Sequence, residues 1–107
     1  MIHPHLDTIL QHLHRSLIVN YGDRLQTLIL FGSQARQDAQ PDSDIDILIV
    51  LQEPVDPWVE NQRTAEAIAN LCLEYSVLIT PIFISIQQFQ TSDTALLRNI
   101  HREGVLI

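Results

Sequence analysis

The chain has no lysine, a single cysteine (Cys72), three glycines, and aromatic residues at only 6% of its 107 positions. Each shortage excludes something. Without lysine there can be no Walker phosphate loop, whose lysine reaches the terminal phosphates of a bound nucleotide. One cysteine cannot form an intramolecular disulfide, so a reducing, cytoplasmic location is expected. Long apolar runs are also missing: the longest, Ile45 to Leu51, is interrupted by Asp46 and falls far short of the ~20 residues that span a bilayer. The opening Met1-Ile2-His3-Pro4-His5-Leu6-Asp7 has neither a basic n-region nor an apolar h-region, so it does not read as a secretory signal.

Positive charge is scarce as well. Six arginines stand against 13 acidic residues, for a formal net charge of −7. That balance argues against a long nucleic-acid partner, whose phosphates need lysine and arginine to displace counterions, and against docking on anionic membrane. The length suits one domain over residues 1–107, burying roughly 65% of its unfolded surface in one core.

The hydrophobic pattern alternates between helical and strand signals. Leu6, Ile9, Leu10, Leu13 and Leu17 lie on one helical face, with Pro4 suited to the first turn and Asn20-Tyr21-Gly22 at the end. Leu25 to Phe31 reads as a buried strand stopping at Gly32, and Asp44 to Leu51 as a second strand ending near Pro54. Ala65, Ile68, Ala69, Cys72 and Tyr75 mark a second long helix over roughly Pro57 to Glu74, with Cys72 on its core stripe and Trp58 as a packing anchor. Val77 to Ser85 is a third strand, which Pro81 confines to an edge or a bulge. A helix over Thr94 to Arg102 follows, capped by Asp93 or Ser92, and Val105-Leu106-Ile107 adds a short strand or packs as a tail. The pattern predicts a small α/β domain, a central sheet with helices against it. About a dozen residues join the first two strands, which suits an antiparallel connection.

Asp44 and Asp46 break the apolar run. Residues two apart on a strand share a face, with Cα atoms roughly 6.6 Å apart. Leu48 and Val50 continue the same face, so the two carboxylates enter a surface that is otherwise apolar. Unpaired, they would repel and lose solvation; a hard cation such as magnesium, which favours oxygen ligands, removes that cost. Upstream, Gly32 after the first strand lets backbone approach a ligand. Ser33 can cap a short helix through Gln34-Ala35-Arg36, giving N–H groups and a hydroxyl suited to phosphate. For Arg36 the alternatives are a phosphate contact or a salt bridge to Asp38 or Asp42. The histidines, His12 and His14 among them, read as solvated or interface residues, because positions i and i+2 diverge on a helix.

Gly32-Ser33-x-Ala35-Arg36 followed by Ser43-Asp44-x-Asp46 resembles the signature of the DNA polymerase beta-like nucleotidyltransferase superfamily. At this short length the chain is similar to the minimal nucleotidyltransferases, the antitoxin half of HEPN–MNT toxin–antitoxin pairs. The tail Glu103-Gly104-Val105-Leu106 is similar to tails of small members. The resemblance implies a small nucleotidyltransferase fold with a mixed central sheet. It implies that Gly32, Ser33, Arg36 and Ser43 bind the nucleotide, and that Asp44 and Asp46 are catalytic and hold Mg2+. The implied reaction transfers AMP from ATP to a tyrosine hydroxyl of a HEPN ribonuclease toxin, neutralising it. Two departures stand out: Gln37 replaces a common glycine, and no acidic residue lies between Glu74 and Asp93, where a third carboxylate is expected near Leu78 or Thr80. The alternative is therefore a binding module of the same fold that silences the toxin by complex formation.

Overall fold

The computed structural model describes residues 5–36 and 44–107. Pro4, Asp38, Asp42 and Ser43, and the roles expected of them, lie outside the described residues. Helix α1 (Leu6–Tyr21) leads through a short 3-10 turn (Gly22–Arg24) into strand β1 (Leu25–Phe31), and a four-residue helix α2 (Ser33–Arg36) follows. Strand β2 (Ile45–Leu51), helix α3 (Pro57–Tyr75) and strand β3 (Ile79–Ser85) come next, then helices α4 (Ile86–Thr91) and α5 (Ala95–Glu103) and the short strand β4 (Val105–Leu106). The sheet order is β3-β2-β1-β4. β1 runs antiparallel to both β2 and β4, whereas β2 and β3 are parallel. The sheet is mixed, as expected, and β3 lies at an edge, where Pro81 deprives no neighbouring strand of a donor.

β2 is central and covered on both faces, which explains its nearly unbroken apolar sequence. Ile45, Ile47, Ile49 and Leu51 join Leu28 and Leu30 beneath α1 and α3. Leu48 and Val50 join Ile29, Leu97 and Ile100 beneath α5, with Ile82, Ile84 and Phe89 packed against them. The apolar stripe expected on α1 is the buried one, Leu6, Ile9, Leu10, Leu13 and Leu17. Cys72 is half-buried against that core, its Sγ accepting from the Ile79 N–H at 3.4 Å.

Several local expectations change. Trp58 is 69% exposed and anchors nothing. It sits in the first turn of α3, where its backbone N–H donates to the capping carboxylate of Asp56, so the position serves the helix end through its main chain. α5 is capped by Thr94, whose hydroxyl accepts from the Leu97 N–H, while Asp93 pairs with Arg98 at 2.9 Å. β3 begins two residues later than expected because Ser76 ends α3 in a left-handed conformation (φ 53°). Helix α4 was not expected at all, although Ser85 and Gln88 form a capping box whose S-x-x-Q pattern is visible in the sequence.

At the end of the sheet where β1 begins and β2 ends, the Tyr21 hydroxyl donates to Glu60 Oε1 at 3.0 Å, and Arg24 and Arg63 both lie over the Tyr21 ring. Burial and the neighbouring Glu60 hold the Tyr21 hydroxyl well above the ordinary tyrosine range, so it remains a donor. This polar cluster ties the C-terminus of α1 to the N-terminus of α3. It leaves the opposite end of the sheet free for the Asp44–Asp46 pair.

Gly104 carries the chain from α5 to β4. Its φ is ordinary, but a Cβ there would stand 2.5 Å from Ile29 Cγ2 and 2.6 Å from the Ile100 carbonyl oxygen. Gly104→Ala is therefore expected to push α5 off the sheet and to cost about 1–3 kcal/mol, read as a lower midpoint in urea unfolding with an unchanged slope.

Candidate active site

The site lies where β1 ends and β2 begins. Antiparallel pairing places Phe31 opposite Asp46 and Ile29 opposite Leu48, so Asp46 belongs to the face covered by α5. Asp44, two residues earlier, shares that face and is exposed at the rim, whereas Asp46 is half-buried. Gly32, immediately after Phe31, has φ +75°, and a Cβ added to it would overlap Asp46 Oδ2 and lie 3.2 Å from Cγ. Both the backbone angle and the space require glycine. The chain then turns into α2, whose first turn is closed by the Arg36 N–H donating to the Gly32 carbonyl at 3.2 Å. Ser33 opens this short helix.

The parallel register of β2 and β3 sets Thr80 beside Asp46, on the same face. Leu78 lies one step outside; it is 57% exposed, and its carbonyl accepts from the Ile45 N–H at 2.8 Å. The β3 side chain nearest Asp46 is therefore a hydroxyl where the resemblance leads one to expect a carboxylate. Among the described residues there is no group of three or more His, Cys, Asp and Glu side chains placed to share a metal. His12 instead lies 3.4 Å from the Tyr75 hydroxyl, and His101 packs on the Phe89 ring.

Arg36 lines a pocket together with Gly32. Its Nη1 is 3.6 Å from Glu103 Oε2 on α5, a partner 67 residues away that local reading could not supply. That pocket, of about 210 Å³, is bounded by Phe31, Gly32 and Arg36 on one side and by Asn99, Ile100 and Glu103 on the other. A larger groove of about 390 Å³ lies between α1 and α3, away from the carboxylates; the smaller pocket shares Gly32 with the acidic pair and so has the stronger claim to ligand.

Electrostatics distinguish the carboxylates. Burial, and secondarily the neighbouring Asp44, push the Asp46 carboxyl above the ordinary range, with Arg36 pulling it partly back. Two carboxylates of hard oxygen donors, one of them disfavoured as an isolated anion, suit a single magnesium ion that also binds water and substrate phosphates.

The site thus sets a glycine turn against Asp46 at the start of the central strand of an α/β domain, and the family comparison names the class. The family model of "Polymerase beta, Nucleotidyltransferase" matches residues 15–107, and the chain belongs to that family. A Methanocaldococcus jannaschii protein carrying the provisional name protein adenylyltransferase MJ0141 is 30% identical over 97 residues, 91% of this chain and 93% of its own. Among solved structures, a toxin–antitoxin with AMP-PNP aligns with a TM-score of 0.65 at 21% identity, over 90% of this chain and 69% of that one. A complex of tri-AMPylated Shewanella oneidensis HEPN toxin with MNT antitoxin aligns at 0.58 and 19% identity, over 94% and 69%. At these identities the structural likeness establishes the fold. No helix among the described residues is long and apolar enough to cross a membrane.

The raised Asp46 carboxyl has a definite stability signature. The folded state holds this proton more tightly than the unfolded chain, so its contribution to stability is full below the ordinary aspartate range of about 3.9 and is lost as pH rises through the raised folded value. Asp46→Asn is expected to melt above the wild type at pH 7 in metal-free buffer, the two melting temperatures converging as pH falls below about 4. A variant that melts lower at pH 7 would show that the ionised carboxylate stabilises the fold.

Proposed function

We propose that this chain is an adenylyl-transferring antitoxin that moves AMP from Mg-ATP to a tyrosine hydroxyl of a HEPN ribonuclease partner and thereby silences it. The observation that carries the reading is the packing of Asp46 against a glycine that can be nothing else, which joins a phosphate-suited turn to a cation-suited carboxylate pair. The family membership supports nucleotidyl transfer, and the relatives' names support a protein acceptor. The acidic balance of the chain agrees with a protein partner rather than a long nucleic acid.

In this reading Asp44 and Asp46 hold one magnesium ion, which supplies charge neutralisation on the α-phosphate and the departing pyrophosphate. Gly32 admits the phosphate chain close to backbone, the Ser33 hydroxyl donates to a phosphate oxygen, and Arg36 offsets the terminal charge. Ser43 is proposed to join them. The acceptor oxygen attacks the α-phosphorus, the bond from that phosphorus to the bridging oxygen breaks, and pyrophosphate leaves. The tyrosine proton passes to solvent or to a partner group, because β3 offers Thr80 rather than a carboxylate base. Lack of such a base typically costs ~10²–10⁴ in rate, so a slow enzyme is expected.

The hydroxyl at Thr80 also favours the second reading, a catalytically inert member of the fold that inhibits its partner by binding. Mass spectrometry separates the two. After incubation with Mg-ATP, the HEPN partner is expected to gain one or more AMP units on tyrosine, and Asp44→Asn or Asp46→Asn should reduce that gain at least 100-fold. A partner that remains unmodified yet is inhibited in stable complex would establish the inert reading.

A further inference from the structure

Glu103 occupies a place that its surface position does not explain. It ends α5, and α5 is fixed: Leu97 and Ile100 are buried against β1 and β2, and the Gly104 N–H donates to the Ile100 carbonyl at 2.8 Å. The carboxylate is thus carried to the mouth of the pocket beside Gly32, where Oε2 lies 3.6 Å from Arg36 Nη1. Its other oxygen is 3.9 Å from Arg102 Nε, and Arg102 Nη2 donates to Asn99 Oδ1 at 2.6 Å. One carboxylate therefore sits between two guanidinium groups, one on α2 and one on α5.

The pocket, about 210 Å³, is smaller than the ~300–1,000 Å³ of sites that enclose a drug-sized ligand. It cannot enclose a whole nucleoside triphosphate, but it suits the end of one. With the reacting phosphorus at Asp44 and Asp46, the remaining phosphates pass over Gly32, the residue shared by both places, and meet Arg36. Glu103 stands there already, a negative group in contact with the cation that the phosphates would use. The ion pair is half-exposed on both sides, 46% for Arg36 and 36% for Glu103. Such pairs are weak and readily exchanged.

We propose, on the basis of the nucleotidyltransferase reading above, that Glu103 is an internal competitor for Arg36. Its carboxylate holds the guanidinium until the terminal phosphates of the nucleoside triphosphate displace it, and Arg102 then keeps Glu103 neutralised. The exchange sets triphosphate affinity and, run backwards, assists pyrophosphate release by recapturing Arg36. Glu103 is a positioning residue in this account: it touches no reacting atom and acts through Arg36.

Calorimetric titration of the full chain with Mg-ATP and with AMP tests the proposal. Glu103→Gln is expected to tighten Mg-ATP about two- to five-fold and to leave AMP unchanged, since AMP has no terminal phosphates. Glu103→Asp keeps the competing charge and should stay near the wild type. Glu66→Gln, the same charge change on α3 across the sheet, should leave both ligands unchanged. Should Glu103→Gln fail to fold by circular dichroism, Glu103→Ser carries the same expectation. Unchanged or weaker Mg-ATP binding in the folded variant overturns the proposal, as does equal tightening of AMP or equal tightening by Glu66→Gln. A wild type that binds no Mg-ATP overturns the nucleotidyltransferase reading and this proposal together, whereas wild-type binding with an unresponsive Glu103 overturns this proposal alone.

Discussion

Antiparallel pairing of β1 with β2 sets Phe31 opposite Asp46, and that register brings the Gly32 backbone against the Asp46 carboxylate. The rest of the site depends on it. A one-residue slip would turn Asp46 toward α1 and α3, into the core occupied by Ile45, Ile47 and Ile49. The same slip would put Leu48 and Val50 on the wrong face. The apolar contacts beneath both helical layers therefore hold in place a pair whose mutual repulsion and burial Arg36 offsets only in part. Burial raises the Asp46 carboxyl, and the packing of the strand offsets that cost.

The two ends of the sheet divide the work. At one end Tyr21, Arg24 and Arg63 gather around the buried Glu60 carboxylate, joining α1 to α3, and Arg24 also donates to the Pro54 carbonyl. At the other end Asp44 and Asp46 are assembled without equivalent partners on β3, where Thr80 stands in register. Near the second end, beyond Gly32, lies the half-exposed ion pair of Arg36 with Glu103.

Helix α5 links this chemistry to the end of the chain. Its apolar side covers Leu48 and Val50, its last turn carries Glu103, and Gly104 passes directly into β4 on the free edge of β1. The pocket wall, a carboxylate that pairs with Arg36 and the sheet edge are thus one continuous segment. Leu106 of β4 is exposed.

Much of this was legible along the chain. The periodicities of α1, β1 and β2 have one physical source, burial of one face. Helix α3 formed over the expected range, but Ala65 and Ala69 of its expected stripe are exposed and Glu60, Thr64, Ile68 and Leu71 are the buried set. Alternation alone put Asp44 and Asp46 on one face, and the Gly32-Ser33 turn with the Asp pair carried the family resemblance. The Ser85–Gln88 capping box of α4 is likewise a four-residue signal. What the sequence could not supply was anything spanning elements. Trp58 lies outside the core because of which side of α3 meets α1 and the sheet, and Thr80 faces Asp46 because of the β2–β3 register. Arg36 meets Glu103 only after α5 folds back over β1. Periodicity and turn chemistry act over a few residues and were settled by the sequence itself; partners dozens of residues apart are chosen by packing, which only the tertiary structure decides.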